Sequence, residues 1–476
     1  MSYPALTLVI DGEALGIESR ASEPVFNPAT GKPLTDLPHA SVVDLDRALA
    51  AAERAFAPWR KTAPQERGRI LKRGAQLIRE RSGAIALAMT FEQGKPLAEA
   101  KGEVAYAADV IEWYAEEGRR AYGRVIPTKA PNARQLVVLE PVGVAAAFTP
   151  WNFPALTPAR KIGGALAAGC PLILKAAEET PATALALVQA LHDAGLPPGV
   201  LNLVFGDPAQ VSSRLIASPV VRKVSFTGSV GIGKHLARLC VDDLKRTTLE
   251  LGGHAPVVVC DDVDAEATAV TLAASKYRNA GQVCISPTRF YVHQDVFDRF
   301  TDRFVAAAQA LVLGDGSQDG VTMGPLANPR RVEAMERFIE DARSRGGEIR
   351  TGGKRRGNEG WFFEPTVVTG LGDDSMLMTE EPFGPIAPIT PFETLDEVLR
   401  RANSLPFGLA AYAFTDSVKT ATALGDGLKA GMVGVNSMAI SAPETPFGGV
   451  RDSGVGSEGG VEGLQAYFDT KFIAEG

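Results

Sequence analysis

Lys223-Val224-Ser225-Phe226-Thr227-Gly228-Ser229-Val230-Gly231-Ile232-Gly233-Lys234 carries a strand, a glycine-rich turn and the start of a helix in twelve residues. Lys223–Phe226 reads as a strand, Gly228 marks a turn, and Gly231 opens a helix that continues to Leu239. Glycine lets the backbone approach a ligand closely, and a helix N-terminus attracts phosphate. Gly228-x-x-Gly231-x-Gly233 departs from the dinucleotide order Gly-x-Gly-x-x-Gly, so taken alone it reads first as a tight turn. The same strand–helix unit repeats upstream: strand Leu172–Leu174, helix Thr183–Ala194, strand Leu201–Val204, helix Ala209–Ala217. Strands alternating with helices of about a dozen residues predict parallel βαβ units and an α/β fold.

Working outward, a second alternating block follows Leu251-Gly252-Gly253. Its expected elements are strands at Pro256–Val259, Thr288–Val292, Thr366–Val368 and Leu409–Phe414. Helices are expected at Ala265–Asn279, Val296–Leu311, Arg330–Arg345 and Leu395–Asn403. Two α/β blocks joined near residue 252 imply a cleft between them, where ligand sites concentrate. The first third reads as helical. Ser41 and Asp44 form a short capping box for a helix through Leu45, Ala48, Leu49, Ala52 and Phe56, followed by helical runs at Pro64–Phe91 and Leu97–Arg119. Leu136–Leu139 and Val144–Phe148 read as strands.

Of the 476 residues, 45% are hydrophobic and 22% charged, which excludes a disordered or collagen-like chain and suggests two or three domains. The 49 Lys and Arg against 56 Asp and Glu leave a net charge of -7, which argues against nucleic acid or an anionic membrane as partner. Pro141–Ala159 is uncharged over a span-like length, but four prolines and Asn152 divide it into two short elements and a loop. Met1–Asp11 has no basic region and no small-residue cleavage site, so a secretory leader is not expected and a cytoplasmic enzyme is. Five scattered histidines form no ligand motif, and no metal is expected.

Four cysteines are too few for a disulfide framework. Cys170, Cys240 and Cys260 sit in apolar helix or strand patterns and read as packing residues. Cys284, in Asn279-Ala280-Gly281-Gln282-Val283-Cys284-Ile285-Ser286, sits on a glycine-containing turn after a helix, where its sulfur can face a cleft. Glu250, before Gly252-Gly253, reads either as a general base beside a flexible turn or as a surface or capping carboxylate. Lys175 and Glu178, at a strand's end, read either as ribose ligands or as a solvated charge pair. His254 stays open as a partner for Cys284.

Together these segments resemble the aldehyde dehydrogenase superfamily over nearly the whole chain. Six motifs stand in its order: Thr149-Pro150-Trp151-Asn152-Phe153-Pro154, Phe226-Thr227-Gly228-Ser229, Glu250-Leu251-Gly252-Gly253, Gly281-Gln282-Val283-Cys284, Glu381-Pro382-Phe383-Gly384-Pro385 and Pro446-Phe447-Gly448-Gly449. Trp113 to Gly123 and Arg278-Asn279-Ala280-Gly281-Gln282 are most similar to the succinate-semialdehyde and α-ketoglutarate-semialdehyde dehydrogenases. The resemblance implies Cys284 as nucleophile, the Asn152 amide and the Cys284 N–H as oxyanion hole, and Glu250 as the base that activates water. A fixed oxyanion donor is worth on the order of 3 kcal/mol of barrier. It places Trp151, Lys175, Ala177, Glu178, Gly228, Ser229, Leu251, Glu381 and Phe383 around a dinucleotide. A carboxylate at Glu178 repels the 2′-phosphate of NADP, so NAD is the expected cofactor, with NADP second. Arg160, Arg278 and Ser441 match the positions that hold a distal substrate carboxylate, which guanidinium binds bidentately. A broad-specificity enzyme for aromatic or aliphatic aldehydes is the alternative.

Two departures stand out. Ala176 replaces the usual proline after Lys175. Ser286 occupies the place of a second cysteine that forms a redox switch in some relatives. The implied layout is a Rossmann-type cofactor-binding domain (1–121 and 142–251), an α/β catalytic domain (252–435), a bridging β segment for oligomerisation (122–141 and 464–476) and a return segment lining the cleft (436–463). A homodimer or homotetramer acting on a small aldehyde follows from the resemblance.

Overall fold

The computed structural model describes residues 3–476; Met1 and Ser2, which belong to the leader reading and to the 1–121 segment, lie outside them. The alternation around Gly228 builds an eight-stranded sheet. Its order is Gly454–Val455, Arg246–Leu251, Val221–Gly228, Val144–Phe148, Leu172–Lys175, Leu201–Val204, Leu8–Ile10 and Glu13–Leu15. The five strands from Arg246–Leu251 to Leu201–Val204 are parallel, and antiparallel strands close both edges. Val144–Phe148 and Leu172–Lys175 are buried throughout, as a parallel sheet covered by helices on both faces requires. Register aligns Phe148 with Lys175 and Phe226, and Thr227 with Glu250. The loops that leave these strands therefore start from one end of the sheet.

The second block forms a seven-stranded sheet: Glu348–Thr351, Thr366–Thr369, Ile386–Phe392, Pro287–His293, Ala255–Val259, Ala410–Phe414 and Met432–Val435. All neighbours are parallel except the first pair. A smaller sheet pairs Phe468–Glu475 with Arg134–Pro141 over eight residues, and Arg124–Ile126 flanks it. Each large sheet has its own buried core, with Trp59 and Tyr114 in the first and Phe290, Phe300 and Phe304 in the second.

Ser41 caps the helix Val42–Lys61, and the Ser41 N–H donates in return to the Asp44 carboxylate at 2.9 Å. The α/β class is as expected, and most elements fall where the pattern puts them, but four differences emerge. The opening segment is not helical: Leu8–Ile10, Glu13–Leu15, Ser22–Asn27 and Lys32–Pro38 are strands too short or too polar to show a period. The run from Pro64 is two helices, Pro64–Glu80 and Ser82–Gln93, broken at Arg81. The central strand Ile386–Phe392 carries Pro388 and Pro391, residues that argue against a strand interior. Cys170 and Cys260 lie just past regular elements rather than within them, although both are buried like Cys240.

Candidate active site

The Cys284 loop begins where the helix Ala265–Tyr277 ends. Asn279 and Ala280 both take left-handed backbone (φ 50° and 53°), and Gly281 follows at φ 73°. A β-carbon on Gly281 would lie 2.2 Å from the Gly384 carbonyl oxygen, so this position tolerates only glycine. The turn delivers Cys284, half-buried, to the wall of a cavity of about 1080 Å³. Asn152, Glu250 and Cys284 all line it. So do the cofactor candidates Trp151, Gly228, Ser229, Leu251, Glu381 and Phe383, and the substrate candidates Arg160, Arg278 and Ser441. Lys175, Ala177 and Glu178 do not line this cavity. They leave the neighbouring strand Leu172–Lys175, where Lys175 Nζ donates to Glu178 Oε2 at 2.7 Å and the Gly206 N–H to Glu178 Oε1 at 3.3 Å.

Glu250 is neither a loop residue nor a surface carboxylate. It sits in the strand Arg246–Leu251, paired with Thr227 on one side and Gly454 on the other, and is 3% exposed. Burial, with the Glu458 carboxylate near it, pushes the Glu250 carboxyl up to about 7, while Arg160 and Lys161 pull the other way. Burial and the nearby Glu250 and Glu381 carboxylates push the Cys284 thiol up. Glu458 in turn pairs with buried Lys161, and Ser225 donates to Glu458 Oε1 at 3.1 Å. The His254 ring bonds the Thr288 hydroxyl at 2.8 Å and the Leu377 carbonyl at 3.1 Å, so both nitrogens are committed away from Cys284.

The Asn152 amide nitrogen donates to the Gln282 carbonyl at 3.2 Å. The Asn152 loop is gripped from behind: buried Lys95 donates to the Asn152 carbonyl at 2.9 Å and pairs with Glu103. Glu103 accepts from the N–H groups of Ala155 and Leu156, where a carboxylate favours the start of the helix Leu156–Ala168. Neither Lys95 nor Glu103 stood out in the sequence. A lysine wedged between glycine and proline after a helix was the available signal.

The substrate candidates converge. Arg160 Nη2 donates to Ser441 Oγ at 2.9 Å, and Tyr106 shares that hydroxyl at 3.0 Å. The Arg160 guanidinium lies over the Phe447 ring, and that of Arg278 is 5.5 Å from the Phe153 ring centroid. Among the described residues neither arginine forms an ion pair with a carboxylate, which sets aside the reading of either as a structural salt bridge.

Four buried polar atoms on the cavity wall have no protein partner: Asn152 Oδ1, Thr227 Oγ1, Glu250 Oε1 and Arg331 Nε. Trp151 and Phe383 meet edge to face at 5.6 Å, and Phe383 is held at φ 44° while Arg331 Nη2 donates to its carbonyl at 3.2 Å. A fixed aromatic pair, a glycine-serine turn at a helix start and unsatisfied polar atoms fit a dinucleotide entering between the sheets. Elsewhere Asp261, His293 and Asp295 bring ligand-type atoms within 4.8 Å of one another, a grouping the sequence did not show. No helix among the described residues is long and apolar enough to cross a membrane.

Comparison with known proteins agrees with this geometry. The family model described as "Aldehyde dehydrogenase family" matches residues 17–473. The chain is 50% identical over 471 residues to 4-(hydroxymethyl)benzenesulfonate dehydrogenase TsaD1 of Comamonas testosteroni, covering 99% of this chain and 98% of that one. It is 43% identical to the NADP(+) succinate-semialdehyde dehydrogenase GabD of Escherichia coli K12, covering 98% and 97%. The crystal structure of succinate-semialdehyde dehydrogenase from Burkholderia pseudomallei superposes with a TM-score of 0.97 at 46% identity, covering 98% and 97%. The chain belongs to the aldehyde dehydrogenase family, oxidoreductases that act on small aldehydes with NAD or NADP.

Proposed function

We propose that the enzyme oxidises a short aldehyde carrying a distal carboxylate, of the succinate-semialdehyde kind, to the carboxylic acid, with NAD preferred over NADP. The observation that carries this is Arg160: a guanidinium 5% exposed, on the wall shared with Cys284, bonded to Ser441 and without a carboxylate partner among the described residues. A buried charge calls for a counter-ion, and the cavity leaves room for the substrate to bring one.

Cys284 attacks the aldehyde carbon as the thiolate, giving a thiohemiacetal whose oxyanion is received by the Asn152 amide and the Cys284 N–H. A bound dinucleotide would supply the acceptor for the hydride that leaves the substrate carbon, so that the thiohemiacetal becomes a thioester on Cys284. Trp151, Gly228, Ser229, Leu251, Glu381 and Phe383 would hold the dinucleotide, with Lys175, Ala177 and Glu178 toward the adenosine ribose. Glu250 takes a proton from water as it adds to the thioester, which releases the acid and returns Cys284. Segments 1–121 and 142–251 carry the cofactor, 252–435 the nucleophile, and 436–463 closes the cleft. The sheet that includes Phe468–Glu475 pairs with another copy in a cytoplasmic dimer or tetramer.

A second reading is favoured by the Phe447 ring beneath Arg160 and the Phe153 ring beside Arg278, together with the name of the 50%-identical relative: an aromatic aldehyde with a distal sulfonate. Formation of reduced nicotinamide is to be followed with succinate semialdehyde, 4-formylbenzenesulfonate and benzaldehyde, each with NAD and NADP. The proposal expects the highest kcat/KM on succinate semialdehyde with NAD. Preference for the sulfonate selects the second reading, and preference for benzaldehyde overturns both.

A further inference from the structure

We propose that Asn279 is a positioning residue that sets the spacing between the Asn152 amide and the Cys284 loop. The inference rests on the reading above, in which that amide and the Cys284 N–H receive the oxyanion. Asn279 is 2% exposed and uses every polar atom it has. Its Nδ2 donates both to the Asn152 carbonyl at 3.0 Å and to the Gln282 carbonyl at 3.2 Å. Its Oδ1 accepts from Gln93 Nε2 at 2.8 Å, and its N–H donates to Glu99 Oε2 at 2.9 Å. Its carbonyl accepts from the Gln282 N–H at 3.0 Å and from Gln282 Nε2 at 3.1 Å.

One carboxamide thus ties the main chain of the donor loop to that of the nucleophile loop. The Gln282 carbonyl, two residues before Cys284, receives both the Asn279 and the Asn152 amides. Gln93 orients the Asn279 amide, because its donated hydrogen identifies which end is oxygen. Asparagine meets two demands at once. It tolerates the left-handed backbone better than other non-glycine residues, and it presents two N–H donors to two carbonyls. Glycine meets only the backbone demand. Aspartate would turn a carboxylate toward two carbonyl oxygens.

Asn279→Gly therefore keeps the turn and removes the tie. Rapid-mixing measurement of the first turnover isolates hydride release from hydrolysis, and a misplacement of about 1 Å costs on the order of 10²-fold in such a step. The expected result for Asn279→Gly is that loss in the first-turnover rate, with KM for aldehyde and for dinucleotide little changed. A first turnover at the wild-type rate means that only the backbone conformation matters and overturns the proposal. If Asn279→Gly does not fold, as a melting curve shows, Gln93→Glu takes its place. It keeps the acceptor for the Lys95 N–H and sets a carboxylate against Asn279 Oδ1. A slowed first turnover in Gln93→Glu supports the proposal, and a wild-type rate overturns it. Asn152→Ala is measured alongside. If it also acylates at the wild-type rate, the oxyanion reading itself has failed and this inference falls with it. If it is slow while Asn279→Gly is not, only this inference has failed.

Discussion

The Arg160 guanidinium carbon stands 3.8 Å from the centroid of the Phe447 ring, stacked on an aromatic face rather than paired with a carboxylate. Stacking holds the planar group in one orientation while leaving its edge donors free, one of them on Ser441. Arg278, exposed beside Phe153, offers a second cation to the same space. Arg278→Ala should raise KM for succinate semialdehyde by about 10- to 100-fold, the value of a charge-assisted bond, and barely change KM for an uncharged aldehyde. An equal effect on both substrates would remove Arg278 from anion recognition.

How much of this site the sequence discloses depends on the range of the interactions. The parallel sheets are legible because strands such as Val144–Phe148 and Ala255–Val259 are apolar on both faces and stand between helices of ordinary length. Nine of the twelve candidates on the cavity wall lie in five of the six short motifs, while Arg160, Arg278 and Ser441 stand outside them. The supporting network was not legible. Lys95 and Glu103 precede Asn152 by 57 and 49 positions, and only the packed fold brings them behind its loop. Glu458 reaches Lys161 across 297 positions. Asn279 lies inside the motif Arg278-Asn279-Ala280-Gly281-Gln282, yet its six hydrogen bonds depend on a left-handed turn that no residue pattern announces.

The proposed preference for NAD turns on Glu178. Its carboxylate takes the Lys175 ammonium on one side and the Gly206 N–H on the other, so it is fixed rather than free to swing away from a phosphate. A like charge brought against it costs several kcal/mol, so Glu178→Ser should raise the kcat/KM ratio of NADP over NAD by about tenfold or more. The comparison needs both cofactors with one aldehyde at fixed ionic strength, because screening weakens the repulsion. An unchanged ratio would place the adenosine ribose elsewhere.

Removing the Glu250 carboxylate should act in opposite senses on thioester hydrolysis and on the reactivity of Cys284. Burial and Glu458 hold the Glu250 carboxyl at about 7, and a base acts when deprotonated, so thioester hydrolysis should climb through about pH 7. Glu250→Gln should abolish that pH-dependent rise and slow hydrolysis by about 10²- to 10⁴-fold. Where hydrolysis limits turnover, the loss appears in kcat while the first turnover survives. The thiol behaves differently because the Glu250 carboxylate raises its pKa. Without that charge the thiolate forms at lower pH, so iodoacetamide should alkylate Cys284 faster at neutral pH in Glu250→Gln than in the wild type. Slower alkylation would mean that Glu250 draws the proton from Cys284 in the free enzyme, which would make it the activator of the nucleophile as well as of water.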